Sequence, residues 1–84
     1  MSYRIRFTKL AQKDIKKLSP KLKAKLQDIL RNKIAVNPFG GKSLLGDLKG
    51  YYSVRLSYKD RIVYSIHEDE LVVVVVRAMT HYGD

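Results

Sequence analysis

Tyr51-Tyr52-Ser53-Val54-Arg55-Leu56, then Asp60-Arg61-Ile62-Val63-Tyr64-Ser65-Ile66-His67, then Leu71 through Arg77 decide the fold of this chain. β-branched and aromatic residues dominate all three segments, as pleated strands favour. Ser57-Tyr58-Lys59-Asp60 and Glu68-Asp69-Glu70 are the polar turns between them. Successive strand side chains point to opposite faces. Tyr52, Val54 and Leu56 therefore share one face, and Ser53 and Arg55 the other. Ile62, Tyr64 and Ile66 share a face opposite Arg61, Val63, Ser65 and His67. The first face reads as core. The second carries two arginines on neighbouring strands. Val72 to Val76 is apolar on both faces, which predicts a central strand covered on both sides.

Working outward, Tyr3-Arg4-Ile5-Arg6-Phe7 alternates apolar and basic residues and predicts a first strand, with Tyr3, Ile5 and Phe7 toward the core. Thr8 offers an N-cap hydroxyl. Lys9 to Leu18 reads as a helix, with Ala11, Ile15 and Leu18 at helical spacing. Ser19-Pro20 closes it and starts a second helix, from about Pro20 to Ile34. Leu22, Leu26, Ile29, Leu30 and Ile34 trace its apolar stripe, and its lysines read as a solvated face. Asn37-Pro38-Phe39-Gly40-Gly41 is a bend. Lys42 to Lys49 follows as a loop anchored by Leu44, Leu45 and Leu48. The order is β-α-α-β-β-β: an α+β domain over residues 1–84, with a mostly antiparallel sheet and two N-terminal helices packed on one face. Periodicity leaves the partner of the first strand open.

Eighty-four residues suffice for one domain with one small core. Without cysteine there is neither a disulfide framework nor a thiolate metal site. Two histidines without carboxylates at matching spacing predict no metal and no cofactor. The start of the chain has no long apolar run and reads as lacking a signal peptide. The longest apolar run, Leu71 to Val76, is far too short to span a bilayer. A soluble cytoplasmic protein with no membrane partner is expected. Lys+Arg 17 against Asp+Glu 8 leaves +9. That excess points to a polyanionic partner, either nucleic acid, a ribosome surface or an acidic protein.

No Ser-His-Asp arrangement is spelled out locally. Gly40-Gly41-Lys42-Ser43 lacks the first glycine of a phosphate loop and does not link a strand to a helix. The polar candidates are Lys42, Lys49, Ser53, Arg55, Arg61, Arg77, His81 and Tyr82, with Asp47 beside them. Two guanidiniums on one sheet face could grip a phosphate through forked hydrogen bonds. Arg55 and Arg61 could equally pair with Asp60, Glu68 or Asp69. His81 could exchange protons near neutral pH, and Tyr82 could stack on a base. Alternatively, a terminal His-Tyr is packing or tail. The set suits cleavage of RNA, whose 2′-hydroxyl can act as nucleophile while arginine stabilises the transition state.

Leu48-Lys49-Gly50-Tyr51-Tyr52-Ser53-Val54-Arg55-Leu56, followed by Asp60-Arg61-Ile62-Val63-Tyr64 and Arg77-Ala78-Met79-Thr80-His81-Tyr82, resembles the RelE/ParE superfamily of bacterial toxins. The Pro38-Phe39 bend and the two helices before it fit as well, so the likeness spans essentially the whole chain. The terminal His-Tyr is similar to that of the YoeB-like branch. The resemblance implies the toxin of a type II toxin–antitoxin system, a ribosome-dependent endoribonuclease that cuts mRNA without a metal and so inhibits translation. Its partners would be a cognate antitoxin, the ribosome and mRNA; the basic charge predicts an acidic antitoxin. On matching positions Arg61 would be the transition-state arginine, with His81 and Tyr82 the catalytic pair. Arg55 matches a position that is basic in the RelE branch, and Lys42, Lys49, Ser53 and Arg77 would bind RNA. The glutamate base of the YoeB-like branch has its place at Gly46, beside Asp47, and the two lysines of the RelE branch at Ser53 and Arg55. His81 is therefore the first choice of base, with Asp47 the alternative. Two other readings share these features: a ParE-like toxin that inhibits DNA gyrase by binding, and a basic RNA-binding module.

Overall fold

A computed structural model describes residues 2–78. Strand β1 (Arg4–Phe7) leads into helix α1 (Lys9–Lys16), whose N-terminus is capped by Thr8, its Oγ1 accepting the Ala11 N–H at 3.1 Å. Helix α2 (Pro20–Ile29) starts the same way. Ser19 Oγ accepts the Leu22 N–H at 3.2 Å, and Pro20 occupies the first turn, where its missing N–H costs nothing. The second helix does not run as α-helix to Ile34. It widens into a π turn over Leu30–Ile34, closed by the Ala35 N–H on the Leu30 carbonyl at 2.8 Å. Leu30 and Ile34 both stay buried through the widening, and the Ala35 carbonyl accepts the Tyr3 N–H at 2.8 Å. Among the described residues no helix is long and apolar enough to cross a membrane.

The remaining strands are β2 (Lys42–Ser43), β3 (Tyr51–Arg55), β4 (Arg61–His67) and β5 (Val72–Arg77), with single 3₁₀ turns over Pro38–Gly40, Gly46–Leu48 and Glu68–Glu70. They form one five-stranded sheet in the order β1-β5-β4-β3-β2. β1 lies parallel to β5, and every other pairing is antiparallel. The α+β reading with helices on one face therefore holds. β2 falls inside the stretch read as a loop, because two residues carry no periodicity to detect. Two apolar assignments need correction. Leu45 is 84% exposed and anchors nothing, since the flanking Leu44 and Leu48 take the inward positions. Phe7 is 37% exposed at the end of an edge strand with a sheet neighbour on one side only.

The core forms where Ala11, Leu18, Leu26, Ile29, Leu30 and Ile34 of the helical segment meet Leu56, Ile62, Tyr64, Val73 and Val75 of the sheet. Full burial of each large aliphatic side chain contributes about 1.5–3 kcal/mol. Val73 and Val75 are completely buried against the helices, whereas Val74 and Val76 on the other face are only partly covered. The strand expected to be covered on both sides is thus fully covered on one.

Tyr64 is the polar point in this core. It is fully buried and stacks on Tyr52 at 5.9 Å, and Phe39 meets Tyr52 edge-on at 6.0 Å. Its hydroxyl donates to the Pro38 carbonyl at 2.7 Å and accepts from the Gly41 backbone. A Cβ on Gly41 would collide with that hydroxyl and lie 3.1 Å from the Ser53 carbonyl oxygen. Gly41→Ala should therefore cost about 1–3 kcal/mol by overpacking, read as a lower urea midpoint at unchanged slope. Burial pushes the Tyr64 phenol up to about 12, partly offset by the Gly41 hydrogen bond and reinforced slightly by Tyr52. The unfolded phenol, with an ordinary pKa near 10, gives up its proton first. The stabilisation from Tyr64 is therefore complete below about pH 10 and is lost as pH rises through the folded value. Tyr64→Phe should be less stable at neutral pH by about 1–3 kcal/mol. It should also lose stability less steeply than wild type between roughly pH 10 and 12, a difference that denaturant titrations across that window would read.

A candidate nucleic-acid interface

The end of the β3–β4 hairpin places Arg55 directly opposite Arg61. Both follow strand alternation, so both stand on the face away from the helices, with Cβ atoms about 4.5–5.5 Å apart. Such like-charge pairs are destabilising unless a carboxylate intervenes. The nearest acid in sequence, Asp60, does not. Its carboxylate accepts the Ser57 hydroxyl at 3.0 Å, its N–H donates back to Ser57 Oγ at 3.1 Å, and it is 5% exposed inside the turn. Leu56 and Ser57 close the same turn through N–H bonds to the Asp60 carbonyl at 2.9 and 3.1 Å. Among the described residues neither Arg55 nor Arg61 is in an ion pair, so pairing with Asp60, Glu68 or Asp69 is not observed.

The next pair on the same face, two residues along each strand, is Ser53 with Val63, and Lys42 of β2 stands across from Ser53 on its other side. Ser53 and Val63 are 2% and 0% exposed although they face away from the helices. Ser53 Oγ has no hydrogen-bond partner among the described residues. A buried orphan hydroxyl costs about 1–3 kcal/mol. At 2% exposure Ser53 is closed to a ligand in this conformation. Lys42, Lys49 and Arg55 are exposed, and Arg61 is partly so.

The parallel β1–β5 pairing sets Arg4 against Val72 and Arg6 against Val74, which in turn face His67 and Ser65 of β4. Arg4 and Arg6 therefore share the face of Arg55 and Arg61. Lys42 and these four arginines make a basic surface from one sheet edge to the other, a width of about 19 Å. The alternation in β1 and its core-facing side were visible in the sequence, but its partner strand was not.

A groove of about 390 Å³ opens beside the Ser53–Val63 rung, lined by Thr8, Leu10, Asp47, Leu48, Tyr51, Val63, Val76 and Arg77. Asp47 thus lines the same groove as Arg77. Arg77 itself points to α1, where its Nε and Nη2 donate to Asp14 at 2.8 and 3.2 Å. That ion pair competes with any RNA contact for its donors. Nothing in the sequence alone had joined these two residues, 63 positions apart. Gly46 has φ +66°, a conformation that side-chain-bearing residues rarely adopt, so a glutamate at this place would be strained in this backbone. His81 and Tyr82 lie outside the described residues.

The family model for the ParE-like toxin of type II bacterial toxin–antitoxin systems matches residues 5–83. The toxin RelG of Mycobacterium tuberculosis is 32% identical over 85 residues, covering 100% of this chain and 95% of its own length. A chain in the toxin–antitoxin complex RelBE2 from the same organism superposes with a TM-score of 0.86 at 30% identity, over 95% of this chain and 99% of that one. The YoeB/ParE toxin from Agrobacterium tumefaciens gives 0.84 at 26% identity, over 94% and 99%.

If Arg55 and Arg61 repel one another as the geometry requires, removing one charge should stabilise the fold. Arg61→Gln is expected to gain about 0.5 kcal/mol at low salt, and the gain should shrink at high salt as screening takes over. Paired urea titrations at the two salt levels check this.

Proposed function

The chain belongs to the ParE-like toxins of type II bacterial toxin–antitoxin systems and is of RelE/YoeB type, and from that we propose that it is a metal-independent endoribonuclease that cleaves mRNA on the ribosome and so inhibits translation. The observation that supports this best is that Arg55 and Arg61 stand directly opposed on a basic sheet face with no ion-pair partner among the described residues. Their mutual repulsion is a standing cost to the fold, and a bound phosphate relieves it.

In the proposed reaction the 2′-hydroxyl of the substrate attacks the adjacent phosphorus. The new P–O2′ bond forms as the P–O5′ bond breaks, giving a 2′,3′-cyclic phosphate and a free 5′-hydroxyl. One group takes the 2′-hydroxyl proton and another protonates the departing oxygen. His81 is the proposed base, with Asp47 the alternative, and Tyr82 assists at the same end of the chain. Arg61, with Arg55 beside it, stabilises the additional charge on the pentacovalent phosphorane. Lys42, Lys49, Ser53 and Arg77 form the proposed RNA-binding surroundings.

The proposed partners are the ribosome with its mRNA and a cognate acidic antitoxin. An antitoxin that covers the arginine face would block RNA directly, and its affinity should fall as salt rises. The relative in the RelBE2 structure is part of a toxin–antitoxin complex, which supports a protein inhibitor here.

Induced expression of the wild type should arrest growth and produce breaks within translated codons by primer extension. Arg61→Ala should lower cleavage about 10²–10³-fold and His81→Ala about 10²–10⁴-fold, each relieving the arrest while the protein remains folded. Undiminished cleavage by both variants rejects these roles. Supercoiling defects with intact mRNA would indicate a gyrase inhibitor instead.

A further inference from the structure

Asp14 is a buried carboxylate in an unfavourable place. It is 6% exposed and sits in the second half of α1, where the helix dipole opposes a negative charge. Among the described residues, Arg77 Nε at 2.8 Å, Arg77 Nη2 at 3.2 Å and the Ala78 N–H at 3.0 Å donate to it from the far end of the sheet. Charge-assisted, two-pronged bonds of this kind fix the plane of a guanidinium as well as its position. The strand end they grip is irregular. Tyr64 pairs with Val75 and Val63 with Arg77, leaving Val76 as an extra residue in a β-bulge. Thr8 braces the same point, its N–H donating to the Val75 carbonyl at 3.0 Å and its hydroxyl to that of Val76 at 3.2 Å.

The bulge and the clamp together decide where Arg77 stands. Its register partner Val63 is one rung from Arg61, which puts the Arg77 and Arg61 backbones about 8 Å apart across neighbouring strands. Its side chain lines the groove shared with Asp47 and Tyr51. Ala78, the other group Asp14 holds, precedes His81 by three residues.

We propose that Asp14 is a positioning residue for RNA cleavage, acting through Arg77 and through the strand end at Ala78. The proposal rests on the nuclease reading above. Asp14 itself touches no substrate; it sets the pose of the Arg77 guanidinium at the groove and holds the strand end at Ala78.

The test uses full-length protein, purified ribosomes and a translated mRNA, well below the unfolding midpoints of all variants. Asp14→Asn keeps the shape and loses the charge. It should lower kcat about 10–100-fold, as small misplacements of catalytic groups do, with KM little changed. Arg77→Ala should lower cleavage as well, and adding Asp14→Asn to it should lower kcat by clearly less than in the wild-type background, because the two act partly as a unit. A merely structural Asp14 would shift the melting temperature while leaving kcat per folded molecule unchanged, and that result overturns the proposal. Fully multiplicative losses in the double variant overturn it too. If Asp14→Asn fails to fold, Arg77→Lys, which keeps the charge but cannot make the two-pronged bond, serves instead; wild-type kcat in that variant overturns the proposal. A wild type that does not cleave at all removes the nuclease reading and this inference with it, an outcome distinct from an active wild type with an equally active Asp14→Asn.

Discussion

The buried phenol of Tyr64 ties together parts of the molecule that local sequence would leave loose. A hydroxyl in an apolar core must find partners or pay a desolvation penalty, and here the partners are the Pro38 carbonyl and the Gly41 backbone. Satisfying Tyr64 therefore requires the bend after the helices to lie against the centre of the sheet. Once the bend is there, Lys42 and Ser43 fall beside Ser53 and Tyr52 and form a strand too short to be stable by itself. The position of Lys42 on the basic face follows from this core hydrogen bond. The stack of Tyr52 on Tyr64, capped edge-on by Phe39, fills the space that the bend encloses.

On the opposite face, stability and function pull in different directions. A fold selected only for stability would place an acid across from Arg61, or let Asp60 reach it. Instead Asp60 is spent inside its own turn on Ser57, and Arg55 faces Arg61 without a counterion among the described residues. The turn thus does two things with one residue: it closes the hairpin and it withholds the nearest carboxylate from the arginines. The orphaned Ser53 hydroxyl one rung away is a second unresolved polar demand in the same neighbourhood. Local departures from the best-satisfied arrangement are expected to cluster at functional sites.

Period-two alternation was enough to assign both faces of β3 and β4, because each residue's side follows from its parity once one residue is placed. It correctly put Tyr64 in the core and Arg61 outside. Thr8 and Ser19 were legible as caps because their chemistry is local. What could not be read was everything decided by distant partners. Parity in β1 sets Arg4 and Arg6 opposite the core-facing Ile5, but only the pairing with β5 reveals which strand they stand beside. The π turn at Leu30–Ile34 preserves the apolar stripe and so leaves no trace in periodicity. Asp14 reads as one more polar residue on a lysine-rich helix until Arg77 arrives from 63 residues away. His81 and Tyr82, for which the sequence makes the strongest chemical case after Arg61, lie beyond the residues the structure describes.

The two faces of the sheet divide the work of the molecule. Most of the large buried side chains, Val63 being an exception, lie between sheet and helices, so the helical side carries most of the apolar burial that stabilises the fold. The other face buries mainly its central rung and spreads charge around it. Substitutions there should perturb binding more than folding, because surface changes rarely exceed about 0.5 kcal/mol whereas core truncations cost several times that. The exception is where the faces meet, at the end of β5. There the bulge at Val76 turns the strand, and Asp14 reaches from the helical layer to hold Arg77 and Ala78. A change in helix packing that moves α1 moves Asp14, and through it the guanidinium beside the groove. At this end of β5, among the described residues, Asp14 links the basic face to the helical layer.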